Sequence, residues 1–416
     1  MKKTKIVVLG TGFGGIYTFL YLKDYLKRVP QVEVTLVNET NHFLFTPLLH
    51  EVATGGVSWA NVVQPIREIV ENTSTVFHES RVKSIDLNKK IVETEDEDLS
   101  YDYLVIALGA STNFYGIEGA KQNCFVLKSL NDAVNLRDHF IKVFEKAWEE
   151  PSIEKKKELL TFALIGGGAT GVELAAEMHE LFFDTFGAFY RNSNLLKYTK
   201  VYLIDALPEI LPQFHRDLRK KAFSILENKG VIFKLNKPVK KIDSKGVHFK
   251  SGKFLHVKNI VWTAGVKPNT PKFLSKIKLD KSNRILINEY LQLDGFDDAF
   301  ALGDISCLLD RKSGKCLPMM AQVAFSQAKI VANNIINSIE NNELKKFKYK
   351  PSGYLISIGR WNALGDLMKM RVSGPHIWLL WKFVYLLKLR FFEKRLRVFM
   401  DWILALFYPR DISNMN

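Results

Sequence analysis

The chain has 416 residues, 47% of them hydrophobic, which is enough to bury the cores of two or three domains and excludes a disordered protein. Its formal net charge of +15 favours an acidic partner such as a membrane surface, a nucleotide or a nucleic acid. From Glu343 to Asn416 there are 14 basic and 5 acidic residues, so much of the positive charge lies in the last sixth of the chain.

The cysteines, Cys124, Cys307 and Cys316, are odd in number and have no CxxC spacing. The pattern predicts neither a disulfide framework nor a metal site, and it favours a reducing location on the cytoplasmic side. Cys307 is interpreted as a small buried residue rather than a nucleophile. Near the N-terminus, glycines soon interrupt the apolar run of "KIVVLG", which indicates a first β-strand rather than a signal peptide.

The first predicted unit is a strand, a glycine-rich turn and a helix, in "KIVVLGTGFGGIYTFLYL". Gly10, Gly12 and Gly15 have GxGxxG spacing, with Gly14 also in the turn. Such a turn brings backbone amides and a helix N-terminus up to a pyrophosphate. We call Gly10–Gly15 the first glycine turn.

The same order of elements returns in "LTFALIGGGATGVELAAEMHEL", too far along the chain for a short tandem repeat. We call Gly166–Gly171 the second glycine turn; its candidate NADH contacts are Gly166, Gly168, Ala169, Thr170 and Gly171. Two dinucleotide sites in one chain predict a non-covalent FAD together with NAD(P)H, on an α/β fold with two Rossmann-like domains.

The residues that follow the second strand of each unit indicate how the riboses are held. Asp205 of "KVYLIDA" is placed to bind the adenosine ribose hydroxyls, and its charge repels a 2'-phosphate, which favours NADH over NADPH. In the first unit the equivalent position is Asn38 or the adjacent Glu39, and both remain candidates for the FAD ribose.

These elements predict four segments. Residues 1–127 and 286–340 form the FAD-binding domain, residues 128–285 form the NADH-binding domain, and residues 341–416 form a C-terminal membrane-association region.

Three further strand-to-glycine turns occur in "YDYLVIALGA", "IVWTAGVKPN" and "FALGD". With the two glycine turns, they make the chain resemble the two-dinucleotide-binding-domain flavoproteins. The resemblance implies that Asp304 binds the ribityl chain of FAD, that Ala107, Gly109 and Gly303 lie at FAD, and that Gly265 lies at NADH.

The remaining motifs are similar to those of the type II NADH:quinone oxidoreductases, which are single-subunit NADH dehydrogenases that do not pump protons. The matching stretches are "NHFLFTPLLHEVATG", "LLTFALIGGGATGVELAAE", "WTAGVKPN", "FALGD" and "LPMMAQVAFSQ", and the likeness runs from residue 4 to about 408. It implies hydride transfer from NADH to FAD and two-electron reduction of a membrane quinone. It also implies respiratory electron transport and regeneration of NAD+.

The family resemblance also implies roles for single residues. Glu173 matches an acid near the nicotinamide, flavin and quinone, where it relays protons or shapes the site. Gln322 matches the first Gln of the AQxAxQ quinone-site motif. Ser326 stands where the last Gln is expected and Gln327 follows it, so Gln322 is the firmer match. The additional FAD positions implied by the family are Thr46, Pro47, Val82 and Gln322.

The segment His376–Tyr408 is aromatic and basic. Its uncharged runs are far shorter than the roughly 20 residues that cross a bilayer. On an ideal helix one apolar stripe contains Tyr385, Leu389, Phe392, Leu396, Phe399, Ile403 and Leu406. The opposite face contains Arg390, Lys394, Arg397 and Asp401. The tryptophans of the segment, Trp378, Trp381 and Trp402, are interpreted as interface-seeking rings. The sequence therefore predicts a peripheral, monotopic protein on the cytoplasmic face of the inner or cell membrane.

Three alternatives remain. The first is a soluble NADH:acceptor reductase of the ferredoxin type, which needs no lipid-facing tail. The second is a sulfide:quinone oxidoreductase, although no cysteine lies between Asn41 and Gly56 and the second glycine motif is complete. The third is a basic binding flavoprotein resembling apoptosis-inducing factor. The two nucleotide motifs outweigh nucleic-acid binding, and the sequence is compatible with a monomer or a homodimer.

Overall fold

The computed structural model describes residues 3–29, 31–191, 194–310, 314–350, 353–367 and 370–413. The chain divides into two compact units. Unit 1 is Met1–Leu44, Val63–Ser111 and Val266–Lys350, and unit 2 is Phe45–Val62, Thr112–Gly265 and Pro351–Asn416. The sequence placed the corresponding changes near residues 127 and 285 and did not group residues 45–62 with the second unit.

Unit 1 is built on a six-stranded sheet. In spatial order its strands are Gln292–Leu293, Phe296–Ala301, Tyr103–Ile106, Thr4–Leu9, Val32–Asn38 and Val76–Glu79. All pairs are parallel except the first. Residues Ile6–Leu9 are all buried, as expected for the central strand of a sheet that is covered on both faces. Helix Phe13–Leu26 packs against helix Ala321–Ile339.

Shorter elements complete unit 1. A four-stranded sheet has the order Lys272–Phe273, Val82–Asp86, Ile91–Thr94 and Asp98–Ser100. Two strand pairs are His42–Leu44 with Val63–Pro65 and Ile285–Leu286 with Ser306–Cys307. Helix Ile66–Ile69 and the 3-10 turn Gly303–Ile305 also belong here. Strands Ala110–Thr112 and Val266–Pro268 lie where the chain leaves and re-enters the unit.

Unit 2 contains a second parallel sheet. Its strands, in spatial order, are Phe125–Val126, Asn259–Trp262, Thr161–Ile165, Lys200–Ile204 and Val231–Lys234. An antiparallel sheet of Val239–Asp243, Gly246–Phe249 and Phe254–His256 packs its buried residues with those of the parallel sheet. Helix Leu130–Glu149 begins with a capping box, in which Ser129 and Asp132 each accept a hydrogen bond from the backbone amide of the other.

The remaining helices of unit 2 are short or surround the sheets. They are Leu49–Val52, Ala120–Asn123, Ile153–Leu159, Ala169–His179, Phe186–Phe189, Leu195–Tyr198 and Arg216–Asn228, with 3-10 turns Thr46–Leu48 and Trp59–Asn61. A π-helix, Glu180–Thr185, directly continues helix Ala169–His179. The α/β class with two Rossmann-like units is therefore confirmed.

The C-terminal part of unit 2 has a three-stranded antiparallel sheet that the sequence did not predict, with strands Tyr354–Ser357, Ala363–Leu367 and Met370–Ser373. Two helices follow, Pro375–Lys388 and Phe392–Phe407, which we call the C-terminal helices. In the described part of the chain, no helix combines the length and the apolar character needed to span a bilayer.

The expected single apolar stripe from Tyr385 to Leu406 is wrong, because the helix breaks between Lys388 and Phe392. Trp378, Trp381 and Trp402, which were expected at a lipid interface, are buried. Asp401, expected on a solvated face, accepts hydrogen bonds from Asn61 Nδ2 at 2.7 Å and from the Ser58 amide at 3.0 Å. Packing against the rest of unit 2 thus reverses part of the pattern of buried and exposed side chains that is expected for an isolated helix.

The prediction about the cysteines is also wrong in part. Cys307 and Cys316 form a disulfide, and their Cα atoms are 5.1 Å apart. A β-bridge between Leu309 and Cys316 brings the two segments together. A search for CxxC spacing misses a pair that is joined across such a hairpin. With this disulfide, cysteine usage no longer argues for a reducing compartment.

Candidate functional site

The first glycine turn in unit 1 has the form of a dinucleotide cradle. A Cβ at Gly10 would lie 2.4 Å from the Ala107 carbonyl oxygen, and one at Gly15 would lie 1.8 Å from the Gly10 oxygen, so neither position accepts a side chain. A Cβ at Gly12 would meet nothing within 4 Å. Gly12 is the residue before helix Phe13–Leu26, so the helix N-terminus faces open space.

Asn38 and Glu39, at the end of strand Val32–Asn38, make different contacts. Asn38 Oδ1 accepts a hydrogen bond from the Thr11 amide at 3.0 Å, and its Nδ2 donates to the Thr40 carbonyl oxygen at 2.9 Å. Glu39 is exposed and pairs with Arg81 at 3.3 Å. Asn38 therefore stabilises the glycine turn, while the Glu39 carboxylate lies at the surface.

The late Gly-Asp pair lies in the turn Gly303–Ile305, where Asp304 is half-buried. Gln327 is 1% exposed, and its Oε1 accepts a hydrogen bond from the Gly303 amide at 2.8 Å. Ser326 Oγ donates to the Gln322 carbonyl oxygen at 2.8 Å, within the same helix. Gln327 thus fixes the turn that carries Asp304, a contact that the motif comparison did not indicate.

The other predicted FAD positions are divided between the units. Val82 begins strand Val82–Asp86 and Gly109 has a positive φ of 66°, both in unit 1. Thr46 and Pro47 lie in the turn Thr46–Leu48 of unit 2.

The fit of unit 1 to a dinucleotide can be tested on its buried polar atoms. Thr11 Oγ1, inside the first glycine turn, is buried and has no hydrogen-bond partner among the described residues. Ser80 Oγ, which directly follows the strand Val76–Glu79, is also buried and has no hydrogen-bond partner among the described residues. Unpaired hydroxyls at a helix N-terminus and at a strand end suit phosphate and ribose oxygens, so these residues fit a bound dinucleotide.

The second glycine turn in unit 2 repeats this geometry. A Cβ at Gly166 would lie 2.7 Å from the Ala264 amide nitrogen, and one at Gly168 would meet nothing within 4 Å. Asp205 Oδ2 accepts from the Gly167 amide at 2.5 Å, and Oδ1 accepts from the Leu207 amide at 2.7 Å. Asp205 and Asn38 therefore play the same stabilising part in their two units.

Other predicted NADH positions surround this turn. Ala169 and Thr170 begin helix Ala169–His179, and Thr170 is exposed. A Cβ at Gly171 would lie 1.9 Å from the Gly166 carbonyl oxygen. Gly265 has a φ of 83°, and a Cβ there would lie 2.0 Å from the Tyr115 hydroxyl.

Glu173 lies on helix Ala169–His179 and is 8% exposed. Its Oε1 accepts a hydrogen bond from the Ser357 amide at 3.3 Å. Burial, with smaller contributions from the nearby acids Glu51 and Glu177, raises the pKa of the Glu173 carboxyl to about 7, against the opposite effects of His50 and the Ser357 amide. A carboxyl with this pKa both gains and loses a proton near neutrality, as a general acid or base must.

Sequence reasoning missed the polar groups around Glu173. His50 is 3% exposed, and its Nε2 has no hydrogen-bond partner among the described residues. Glu51 Oε2 accepts from Trp402 Nε1 at 2.5 Å, and its Oε1 lies 3.7 Å from Lys382 Nζ. The adjacent polar residues of "LLHEV" were a signal, because a His-Glu pair on a buried four-residue helix needs partners.

Family models cover most of the chain. Residues 4–328 match the model described as pyridine nucleotide-disulphide oxidoreductase, and residues 352–411 match the NDH2 C-terminal domain. The second match covers the unpredicted three-stranded sheet and the C-terminal helices.

Individual relatives agree with this assignment. The external NADH-ubiquinone oxidoreductase 2 of Saccharomyces cerevisiae is 31% identical over 99% of this chain and 83% of its own length. A type II NADH:quinone oxidoreductase of Haemophilus influenzae is 31% identical over 89% of this chain and 88% of its own length. The fold matches that of NDH2 from Plasmodium falciparum in complex with NADH, with a TM-score of 0.91, 23% identity, and coverage of 99% of this chain and 100% of that one. The resemblance found in the motifs is thus confirmed, and the chain belongs to the pyridine nucleotide-disulphide oxidoreductases and, among them, to the type II NADH:quinone oxidoreductases.

Proposed function

We propose that this protein oxidises NADH and reduces a membrane quinone by two electrons through a bound FAD, without pumping protons. The observation that carries the proposal is the composition of unit 2. One compact unit holds an NADH-type glycine turn, a buried titratable carboxyl at Glu173 and an exposed face of large apolar side chains. A reductase for a soluble acceptor needs the first of these features but not the last.

The flavin, when bound, accepts a hydride from NADH and passes two electrons to the quinone. The chain's own residues bind and orient the reactants. The first glycine turn receives the pyrophosphate of FAD rather than a mononucleotide, with Thr11 Oγ1 available to a phosphate oxygen. Asp304 is proposed to bind the ribityl chain, with Gln327 holding its turn.

NADH is the proposed reductant in preference to NADPH. Asp205 is fixed by two backbone amides beside the second glycine turn, so its carboxylate cannot swing away from an approaching 2'-phosphate without losing both bonds. Like charges at this separation disfavour the phosphorylated cofactor. The hydroxyls of an ordinary ribose meet the same carboxylate as hydrogen-bond donors.

A quinone headgroup is proposed to lie beside Glu173 and His50. A quinone carbonyl oxygen is a hydrogen-bond acceptor. The buried His50 Nε2 has no hydrogen-bond partner among the described residues, and it supplies a donor in the tautomer that carries the ring proton on this nitrogen. Quinol formation takes up protons, and Glu173 is the neighbouring group whose pKa, about 7, suits that transfer.

The C-terminal helices are proposed to rest on lipid. Their exposed large apolar side chains are Leu379, Phe383, Leu387, Phe392, Leu396, Phe399, Met400, Leu404 and Phe407. Several polar side chains of the second helix are instead occupied by protein, since Asp401 binds Asn61 and Lys394 Nζ donates to the Ala60 carbonyl oxygen at 2.8 Å. Glu393 and Arg397 of this helix are exposed and pair with each other. An outward apolar face with charged side chains at its border is suited to a lipid interface. Because NADH is generated inside cells, the proposed surface is the cytoplasmic face of the membrane.

The proposal is tested with the purified protein. We expect flavin absorption bands, release of FAD on heat denaturation, and rapid NADH-driven reduction of a short-chain quinone in detergent. Absence of flavin, or NADH oxidation that requires a soluble protein acceptor and fails with quinone, would contradict it. Gel filtration with light scattering distinguishes a monomer from a homodimer.

A further inference from the structure

Three acids form one row along a single helical segment of unit 2. Glu173, Glu177 and Glu180 are spaced i, i+4 and i+7, so they lie on the same face, with neighbouring Cβ atoms roughly 6 Å apart. All three are buried. The helix changes to π geometry at Glu180, a feature that often occurs at functional sites. We call these three residues the acid row.

Arg410 binds the lower two members of the acid row. Its Nη2 lies 2.7 Å from Glu177 Oε2 and 2.9 Å from Glu180 Oε2, while Nη1 donates to the Thr54 carbonyl oxygen at 3.2 Å. Burial opposes the charged form of Glu177, but Arg410, His50 and Lys382 outweigh it and hold the pKa of this carboxyl below its ordinary value. Glu177 therefore stays ionised, and its carboxylate oxygens are hydrogen-bond acceptors between the other two members of the acid row.

Glu180 stands at the far end of the row from Glu173. In addition to its ion pair with Arg410, Glu180 accepts a hydrogen bond at Oε1 from the Arg360 amide, and the same oxygen lies 3.7 Å from Lys229 Nζ. Burial and the charge of Glu177 raise the pKa of Glu180 to about 7, against the opposite effect of Arg410 and Lys229. The two ends of the acid row therefore titrate near neutrality, and the middle does not.

A polar cavity of about 220 Å³ adjoins Glu177 and Glu180. Its wall also includes the exposed residues Asp184 and Tyr408, so it extends from the surface to the acid row. Charged side chains on several sides and this volume suit ordered water, which needs polar partners and room. Such water can exchange protons with Glu180.

The upper end of the row is enclosed by other titratable groups. Glu173 is faced by His50 and Glu51 from helix Leu49–Val52 and by Tyr385 from the first C-terminal helix. Burial raises the pKa of Tyr385 well above its ordinary range, so its phenol stays neutral. Lys382 lies beside Glu51 and favours the ionised form of Glu177, although burial lowers the pKa of the Lys382 ammonium group itself.

We propose that the polar cavity and the acid row conduct protons from water through Glu180 and Glu177 to Glu173, and that Arg410 positions the two lower acids for this transfer. The inference rests on the proposed function. The overall reaction is NADH + H+ + quinone → NAD+ + quinol, so each turnover takes one proton from solvent while the electron pair and the other hydrogen come from NADH. A buried carboxyl that gives up a proton must be reprotonated before the next turnover, and the row supplies that path.

Glu180→Gln tests the relay, because the amide keeps the size of the side chain and cannot carry a proton. Quinone reduction should fall about tenfold or more, less than the roughly 10²- to 10⁴-fold effect of a direct general acid, since water can partly replace a relay member. The decrease should become smaller as the pH rises above 7, because the wild-type protein then loses the proton-donating form of Glu180 as well. The solvent deuterium isotope effect should increase. Reduction of ferricyanide, which takes electrons without protons, should keep its wild-type rate.

The matched control is Glu227→Gln, which changes an exposed acid on helix Arg216–Asn228. It should leave both activities unchanged. Arg410→Lys keeps a positive charge near Glu177 and should retain more quinone activity than Arg410→Gln. Both should reduce ferricyanide normally if folded.

The outcomes separate the relay from the proposed function. If the wild-type protein does not reduce quinone at all, the proposed function is wrong. If it does, and Glu180→Gln reduces quinone at the wild-type rate with an unchanged pH profile, the relay is wrong. Equal loss of quinone and ferricyanide activity would also overturn it, because that result indicates damage to the structure rather than to proton supply.

Discussion

Three phenylalanines on the C-terminal helices provide the sharpest test of the proposed lipid-binding surface. Phe383, Phe392 and Phe407 have relative exposures of 57%, 77% and 76%. Transferring a whole phenylalanine side chain out of water contributes about 2 kcal/mol, so scaling by these fractions gives about 4 kcal/mol for replacing all three by serine. That corresponds to a loss of about three orders of magnitude in membrane partitioning.

The assay is co-sedimentation with vesicles of mixed phosphatidylcholine and phosphatidylglycerol, with ferricyanide reduction as a check on folding. The matched control replaces Ile153, Phe189 and Leu274 by serine; these side chains are 52%, 53% and 57% exposed but lie outside the C-terminal helices. The reasoning is refuted if the first triple variant still sediments with vesicles like the wild type, or if the control loses as much binding. Deleting the whole segment is a poorer test, because Trp381, Trp402 and Arg410 belong to the buried interior.

Three other substitutions give distinct readouts. Glu173→Gln should slow quinone reduction by about 10²-fold, because the amide cannot transfer a proton, while stopped-flow reduction of the flavin by NADH should be unchanged. The rate of quinone reduction by the wild type should fall as the pH rises above about 7, where the donor form of Glu173 is lost. The variant should not show this fall. Asp205→Asn keeps a hydrogen-bond acceptor for the Gly167 amide but removes the charge, so the NADPH-to-NADH ratio of kcat/KM should rise by about tenfold. Cys316→Ser opens a short cross-linked hairpin and should lower the free energy of unfolding by about 2–3 kcal/mol, measured by urea titration against untreated and reduced wild type.

The parts of the fold that the sequence predicted are those specified locally. The central strand Thr4–Leu9 and the glycine turns follow from patterns within one strand-turn-helix segment. Asp205 follows the next strand of its unit, 38 residues after Gly167, and could be located by that order of elements. Gly10 and Gly166 could be identified because close approach to another backbone leaves no room for a Cβ there, and that requirement fixes residue type at fixed spacing. Each glycine turn could therefore be identified from the sequence without knowledge of the tertiary structure.

The parts that could not be predicted depend on segments far apart in the chain. An ideal helical wheel assigns Asp401 and Lys394 to water, but both bind residues 58–61, more than 300 positions away. The same packing buries Trp402, whose indole donates to Glu51. A wheel describes a helix with solvent on every side, so it fails where a polar face finds a protein partner.

The acid row shows, within one helical segment, both what the sequence predicts and what it does not predict. The spacing of Glu173, Glu177 and Glu180 was visible in the sequence, and a row of three acids on one helix face would ordinarily be read as a solvated surface. Burial of such a row demands a cation, because two neighbouring carboxylates cannot both ionise in a poorly solvated site. That cation is Arg410, over 200 residues away, and it reaches the row only because the C-terminal segment folds back onto the helix. The segment expected to serve only as an anchor therefore also determines which carboxyls of the row carry charge, and loss of Arg410 should impair proton transfer even where lipid binding is intact.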